Sequence, residues 1–371
     1  MTGSLVILAS GGTGGHMFPA EALASALLAR GHRVALVTDR RGQAFADRLP
    51  EVALHRIPAG RLDTGLVGKM IGVAEMMLGT LAAGKLLARL QPAVAVGFGG
   101  YPSVPTMLAA ARRQVATVLH EQNALMGRAN RMLAPRVSRI ATSFPQVQGL
   151  KPADAARVAF TGNPVRPEIA RLRDLPYPTP TGTINLLVTG GSQGARILST
   201  VIPDALARMP AALKSRIALM QQARPEDVDH VRETHRRSGI AAEIAPFFYD
   251  LPERLGRAHL VIARAGASTV AELCAAGRPA ILVPYAHAAD DHQTFNAKAL
   301  SDVGAAWVMP ESAFTPETLA ARLETVLAAP ESLATAAAAA RALGQPDAAA
   351  RLADLVLACT GANGDTREHA A

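Results

Sequence analysis

The residues best suited to chemistry lie in short polar clusters that follow apolar runs. The first is Gly11, Gly12, Thr13, Gly14, Gly15 and His16, directly after the apolar run at 5–8. Glycines let backbone N–H groups come close to a ligand, and a helix N-terminus beyond them favours an anion. The loop is therefore a phosphate cradle or a tight turn with no ligand. It lacks the Gly-Lys-Ser/Thr ending of a nucleoside-triphosphate loop, and a dinucleotide fingerprint counted from Gly12 would need glycine where Met17 stands. His16 is either a helix-capping residue or, in a glycine-lined cleft, a proton acceptor.

Four consecutive polar side chains, His120, Glu121, Gln122 and Asn123, end the apolar run at 115–119. Open α/β sheets place ligands at the carboxyl ends of such strands; a hydrogen-bonded loop is the plainer reading. Gly162-Asn163-Pro164-Val165-Arg166 offers an anion-binding arginine at a domain exit. Arg264, Ala265, Gly266, Ala267, Ser268 and Thr269 open a helix with Glu272 in its first turn. N-terminal amides there suit a diphosphate, and a carboxylate one turn on suits both hydroxyls of a ribose. The competing explanation for Glu272, an acid stabilised by the helix dipole, is worth only ~0.3–1 kcal/mol.

His287, Asp290, Asp291, His292 and Gln293 include metal-ligand types. Because they belong to the same series of strand exits, sugar hydroxyls are the preferred ligand and no metal is expected. Asp227-Val228-Asp229 falls in a charged helical pattern with Glu226, Arg232 and Glu233 and reads as a solvated face. Asp39 ends the run at 34–38 where a ribose-binding acid would follow a dinucleotide loop; the failed fingerprint makes it a surface acid.

The elements that position these clusters are buried parallel strands followed by helices. Apolar runs at 5–8, 34–38, 94–98, 115–119, 139–142 and 158–161 are too short for helices and apolar on both faces. A helical pattern opens at Phe18-Pro19-Ala20 and stops at Gly31. Pro176, Pro178 and Pro180 mark a linker and loop, after which 184–189 and Gly190-Gly191-Ser192-Gln193-Gly194 repeat the opening strand, glycine loop and helix. Further strands are expected at 217–220, 243–247, 261–263 and 280–283, and alanine-rich helices at 315–359. The expected architecture is α/β, with two Rossmann-like domains facing each other across a cleft. Its divisions are 1–163, 164–340, a helix at 341–360 packing back towards the first domain, and a disordered tail at 361–371.

The 371 residues exceed one ordinary core. Two cysteines, Cys274 and Cys359, make no disulfide framework and fit a reducing compartment, and a signal peptide is not expected. A net charge of +8 points to an anionic partner; the cations are scattered and not interleaved with aromatics, so nucleic acid is not expected. Residues 66–87 are the most apolar region, but Lys69, Glu75 and Lys85 interrupt it, so a membrane span is not expected. Leu66, Met70, Val73, Met77 and Leu81 form a stripe read as core. Ile71, Met76 and Leu78, with Arg61, Lys69 and Lys85 nearby, allow contact with a bilayer surface.

Taken in order, both glycine loops, HEQN, GNPVR, GGSQGAR, RAGASTVAE and DDHQ closely resemble the MurG family of glycosyltransferase family 28, from Leu5 to about Leu357. Its members are the UDP-N-acetylglucosamine:N-acetylmuramyl-(pentapeptide) pyrophosphoryl-undecaprenol N-acetylglucosaminyltransferases. The resemblance implies the GT-B fold and an inverting transfer of GlcNAc to the 4-hydroxyl of the lipid-linked muramyl sugar, with neither a cofactor nor a required metal. Carried over by motif, Thr13, Gly14 and Gly15 border the donor sugar and acceptor pyrophosphate. Asn123 binds the transferred sugar, Arg166 and Ser192 the donor, and Phe248 the uracil through its backbone. Ala267, Ser268, Thr269, Val270, Ala271 and Glu272 hold diphosphate and ribose, and Gln293 the GlcNAc hydroxyls.

His16 is the expected base, with Glu121 as runner-up. The family often has a β-branched residue followed by an acid where Phe248 and Tyr249 stand, and some members have Gln at position 292. The implied partners are UDP-GlcNAc, an undecaprenyl-linked acceptor, the cytoplasmic face of the inner membrane and other cell-wall synthesis proteins. The alternatives are a GT-B transferase acting on another lipid acceptor, and a nucleotide-sugar-binding or NAD-binding regulator.

Overall fold

In the computed structural model, which describes residues 3–11, 14–39, 48–60, 66–191 and 194–361, the short apolar runs form two parallel sheets. The described residues up to Arg166 and from Asp347 onward make one compact unit, and Pro167–Pro346 make a second. Thr13, Ser192, Arg61 and the tail beyond Gly361 lie outside the described residues.

The first unit holds β1 (Leu5–Ala9), β2 (Arg33–Thr38), β3 (Ala53–Arg56), β4 (Val94–Gly97), β5 (Ala116–Glu121), β6 (Arg139–Thr142) and β7 (Val158–Phe160). They pair in parallel in the order β3-β2-β1-β4-β5-β6-β7. Its helices are α1 (Gly14–Ala29), α2 (Leu66–Leu90), α3 (Ser103–Arg112) and α4 (Arg128–Leu133). Alternation along the strands divides their side chains between two cores. Val6, Leu8, Val34, Leu36, Val94 and Val96 pack with Leu23 and Leu27 of α1, whereas Ile7, Ala9, Ala35, Val37 and Ala95 pack with Ala83 and Leu87 of α2 and Met107 of α3.

The second unit repeats the plan with β8 (Ile184–Thr189), β9 (Ile217–Gln222), β10 (Ala241–Ala245), β11 (Leu260–Ala263), β12 (Ala280–Leu282) and β13 (Ala306–Val308), all parallel, in the order β10-β9-β8-β11-β12-β13. Its longer helices are α5 (Arg196–Arg208), α6 (Val228–Arg237), α7 (Leu251–Arg257), α8 (Ala267–Ala276), α9 (His292–Ser301), α10 (Pro316–Leu327) and α11 (Pro330–Leu343). The last helix, α12 (Ala348–Gly361), belongs to the first unit: Leu352, Ala353, Val356 and Cys359 enter the core formed with α1, and Arg30 pairs with Asp354 at 2.6 Å.

Four details differ from the sequence reading. Helix α1 begins at Gly14, so His16 lies in its first turn and Pro19 is inside it, unable to donate to the Gly15 carbonyl. Strand β5 runs on through His120 and Glu121, which are buried within the sheet. The proline-rich stretch is part of the second unit, where the Tyr177 hydroxyl donates to the His259 carbonyl at 2.7 Å. In α2 the apolar stripe read as core is exposed: Met70 by 66%, Val73 by 50%, Met77 by 64% and Leu81 by 64%.

The buried face of α2 carries Gly72, Gly79, Thr80, Ala83 and Leu87 instead. A Cβ on Gly79 would collide with the Pro58 carbonyl and press on the Pro105 ring. Small residues thus set which face approaches α3, leaving Met70, Val73, Met77 and Leu81 outside. The segment Met70–Leu90 is long and apolar enough, by length and composition, to cross a membrane.

Candidate active site

In a doubly wound sheet the strand order reverses at one point, and the loops leaving the two strands there diverge to leave room for a ligand. In the first unit that point lies between β1 and β4. The loop after β1 leads to His16, and the exit of β4 supplies Gly99 and Gly100, both in the left-handed region with φ of 82° and 72°. The His16 imidazole lies against this bare backbone. A Cβ on Gly100 would lie 3.3 Å from its Cδ2 and 3.4 Å from its Nε2, and one on Gly99 3.5 Å from its Cε1. Glycine at these positions supplies both the backbone angles and the room for the ring.

The neighbouring strand β5 ends in buried Glu121, whose carboxylate gathers the loop that follows. Oε1 accepts from the Asn123 backbone N–H at 2.9 Å and its side-chain amide at 3.2 Å; Oε2 accepts from Gly127 N–H at 2.9 Å and Asn130 Nδ2 at 2.8 Å. Burial raises the Glu121 pKa against the opposing pull of these donors. Next to it, the His120 ring lies 5.5 Å from that of Phe98, tilted by 50°, and burial lowers its pKa to about 4, with nearby His16 adding to the effect. Half-buried Asn123 is thus held by Glu121 at the β5 exit, with Gly14 and Gly15 at the start of α1 and the Arg166 guanidinium 5.7 Å from the Phe18 ring of α1. Asn130, the helix residue that ties Glu121 down, carries no local sequence signal.

In the second unit the order reverses between β8 and β11. The β11 exit leads through Gly266 into α8, whose N-cap glycine offers no side chain to its first-turn N–H groups. Ala267 and Val270 are buried; Ser268, Thr269, Ala271 and Glu272 are half-buried, and Ser268 Oγ has no hydrogen-bond partner. Fully buried Asn296 of α9 fixes this exit by donating to the Ala265 carbonyl at 3.0 Å. Arg264 is occupied elsewhere, donating to the Val283 and Pro284 carbonyls and pairing with Glu311.

Gln293, also on α9, accepts from Tyr285 N–H through Oε1 at 3.0 Å. Just before it, Asp290 and Asp291 both adopt left-handed backbone, with φ of 53° and 55°. The Phe248 ring is buried 4.1 Å from the Arg254 guanidinium, so what this residue offers a ligand is backbone, while Tyr249 beside it is 90% exposed. Asp229 pairs with Arg232 at 2.8 Å on the solvated face of α6. Among the described residues, no group of three or more His, Cys, Asp or Glu side chains gathers as a metal site would require.

This arrangement can hold an anion at a helix N-terminus in the second unit and present an imidazole on a glycine platform in the first. Comparison with known proteins assigns both units to one family. Residues 6–142 match the glycosyltransferase family 28 N-terminal domain and residues 185–352 its C-terminal domain. A Rhodospirillum centenum protein named UDP-N-acetylglucosamine–N-acetylmuramyl-(pentapeptide) pyrophosphoryl-undecaprenol N-acetylglucosamine transferase is 58% identical over 358 residues, covering 96% of this chain and 94% of its own. A Paramagnetospirillum magneticum protein of the same name is 55% identical over 356 residues, covering 95% and 96%. The crystal structure of Acinetobacter baumannii MurG superposes with a TM-score of 0.79 at 29% identity, covering 95% of this chain and 99% of that one. Two doubly wound parallel-sheet units, each matched to its own half of one enzyme family, make the chain a member of the MurG family within glycosyltransferase family 28.

Proposed function

We propose that the protein transfers GlcNAc from UDP-GlcNAc to the 4-hydroxyl of the muramyl sugar in undecaprenyl-pyrophosphoryl-MurNAc-pentapeptide, with inversion at C1. The activity is the one its relatives are named for. As the C1–O bond breaks, negative charge grows on the leaving UDP. We assign the first-turn N–H groups of α8 and Ser268 to meet that charge, Arg166 and Ser192 joining them by motif, and Glu272 to the ribose hydroxyls. Gln293 and Asn123 read the sugar, the Phe248 backbone reads the uracil, and Thr13, Gly14 and Gly15 border the acceptor pyrophosphate.

The attacking hydroxyl must lose its proton, and His16 is the group we assign to take it. The observation that carries this assignment is the His16 imidazole on the Gly99–Gly100 backbone at the strand reversal, with one ring nitrogen hydrogen-bonded to Gln122 at 3.3 Å. Glu121 is the poorer base, because each of its oxygens already takes two N–H donors. Its role is to brace Asn123.

The test is transfer of labelled GlcNAc to a short-chain analogue of the lipid acceptor. His16→Ala should lower kcat by about a hundredfold or more with little change in the UDP-GlcNAc KM. Wild-type turnover in His16→Ala would remove the assignment.

The acceptor's lipid places the enzyme at the inner face of the cytoplasmic membrane as a peripheral protein. Exposed Met70, Ile71, Val73, Met77, Leu78 and Leu81 on α2 supply an apolar surface to dock there. Other cell-wall synthesis proteins would be its neighbours at that membrane.

A further inference from the structure

We infer that Gln122 fixes the tautomer of His16, holding the proton on Nδ1 so that Nε2 presents the lone pair. The inference rests on the assignment of His16 as base and says how that base is kept ready.

Gln122 is buried, and its amide orientation follows from what surrounds it. One end of the amide lies 2.9 Å from the Phe98 carbonyl oxygen and 3.1 Å from that of His120. Both oxygens only accept, so that end must be the Nε2 amide, and the other end is Oε1. His16 Nδ1 lies 3.3 Å from Oε1, an atom that cannot donate. A hydrogen bond there requires the proton on Nδ1, and in the neutral ring Nε2 then carries the lone pair.

A second histidine gives the same direction to the chain. The Gly162 carbonyl, 3.2 Å from His120 Nε2, can only accept, so the His120 proton sits on Nε2, and Nδ1, left with the lone pair, faces the Gln122 Nε2 amide at 3.1 Å. Hydrogen bonds therefore run one way, from His16 through Gln122 Oε1, and from Gln122 Nε2 through His120 to Gly162. Reversing the His16 tautomer would turn Nδ1 into an acceptor facing an acceptor. Flipping the amide to relieve that would set Oε1 against two carbonyls. Gln122 is a positioning residue: it touches His16 and acts through it.

The experiment is long-range 1H–15N correlation of the full-length protein labelled in its 10 histidines, at a pH where the rings are neutral, with His16 and His120 assigned from His16→Gln and His120→Gln. The wild type should show His16 protonated on Nδ1 and His120 protonated on Nε2. In Gln122→Met, of similar length but without an amide, His16 should lose its bias towards Nδ1–H, and kcat should fall about tenfold or more while the UDP-GlcNAc KM stays within about twofold. His120 should keep Nε2–H through Gly162, which also reports that the variant is folded.

A wild-type His16 protonated on Nε2 overturns the inference without need of any variant, as does an unchanged His16 tautomer in folded Gln122→Met. A lost tautomer bias with full kcat supports the inference and instead removes His16 as the base, so the two failures are told apart.

Discussion

Asn130 Nδ2 donates to Glu121 Oε2 at 2.8 Å, closing the chain between a buried strand end and the helix that follows it. The bond belongs to a set of four N–H donors on one carboxylate. Glu121→Gln would turn an NH2 group against two of those donors. It should cost about 2 kcal/mol of stability in urea unfolding, and it should raise the KM for UDP-GlcNAc more than it lowers kcat, because Asn123 loses its brace.

Gly100 is the position where shape and chemistry meet most closely. Alanine there would carry a left-handed φ of 72° and place a methyl 3.3 Å from the His16 ring. Gly100→Ala should lose about 1 kcal/mol of stability and more than tenfold in kcat, because the ring it displaces is the proposed base. Comparison of thermal melts with turnover separates the two effects.

Acid should weaken both units through buried histidines. Burial lowers His120 in the first unit and His235 in the second to about 4, against an ordinary value near 6.5. Between these values the unfolded chain binds a proton that the folded chain does not. The stability each ring contributes is complete above pH 6.5 and is lost as pH falls towards 4, by about 3 kcal/mol per ring. Unfolding free energy measured in urea from pH 7 to 4.5 should fall accordingly, and His235→Leu should show a shallower slope than the wild type.

If α2 docks the protein on a bilayer, charge on its exposed face should release it. Ile71→Asp with Leu78→Asp, at residues 56% and 59% exposed, should leave the fold intact and lower sedimentation with anionic liposomes by about tenfold or more. Turnover of a short-chain soluble acceptor should be unchanged. Equal liposome binding by the double variant would point to another surface.

What could be read from the chain before folding was whatever local physics decides. Runs such as the one at 184–189, apolar on both faces and broken by glycines, become buried strands wherever they occur, and glycine loops after them mark the ends where ligands sit. The edge strands Ala53–Arg56 and Ala306–Val308 gave no such signal, being short and partly exposed. The buried face of α2 is not legible in the sequence because close approach selects for small side chains, so Gly72, Gly79 and Ala83 are covered while Met70 and Met77 are not. Gln122, Asn130 and Asn296 act through hydrogen bonds to distant backbone or side chains, and which acceptors they meet is settled only when the sheet order is. Asn296 on α9, for example, reaches the Ala265 carbonyl at the β11 exit, 31 residues back along the chain.

The first unit is built from two separated stretches of chain, whereas the second is continuous from Pro167 to Pro346. During synthesis the usual order, in which the earlier domain completes first, is therefore inverted. Leu23 and Leu27 of α1 wait for Leu352 and Val356 to be made before their core is closed. The nascent first unit thus leaves the ribosome with part of its apolar core uncovered while the second is already able to fold. A chain cut at residue 347 would keep that gap permanently and should be drawn into chaperone binding or aggregation, even though every residue of both sheets is present.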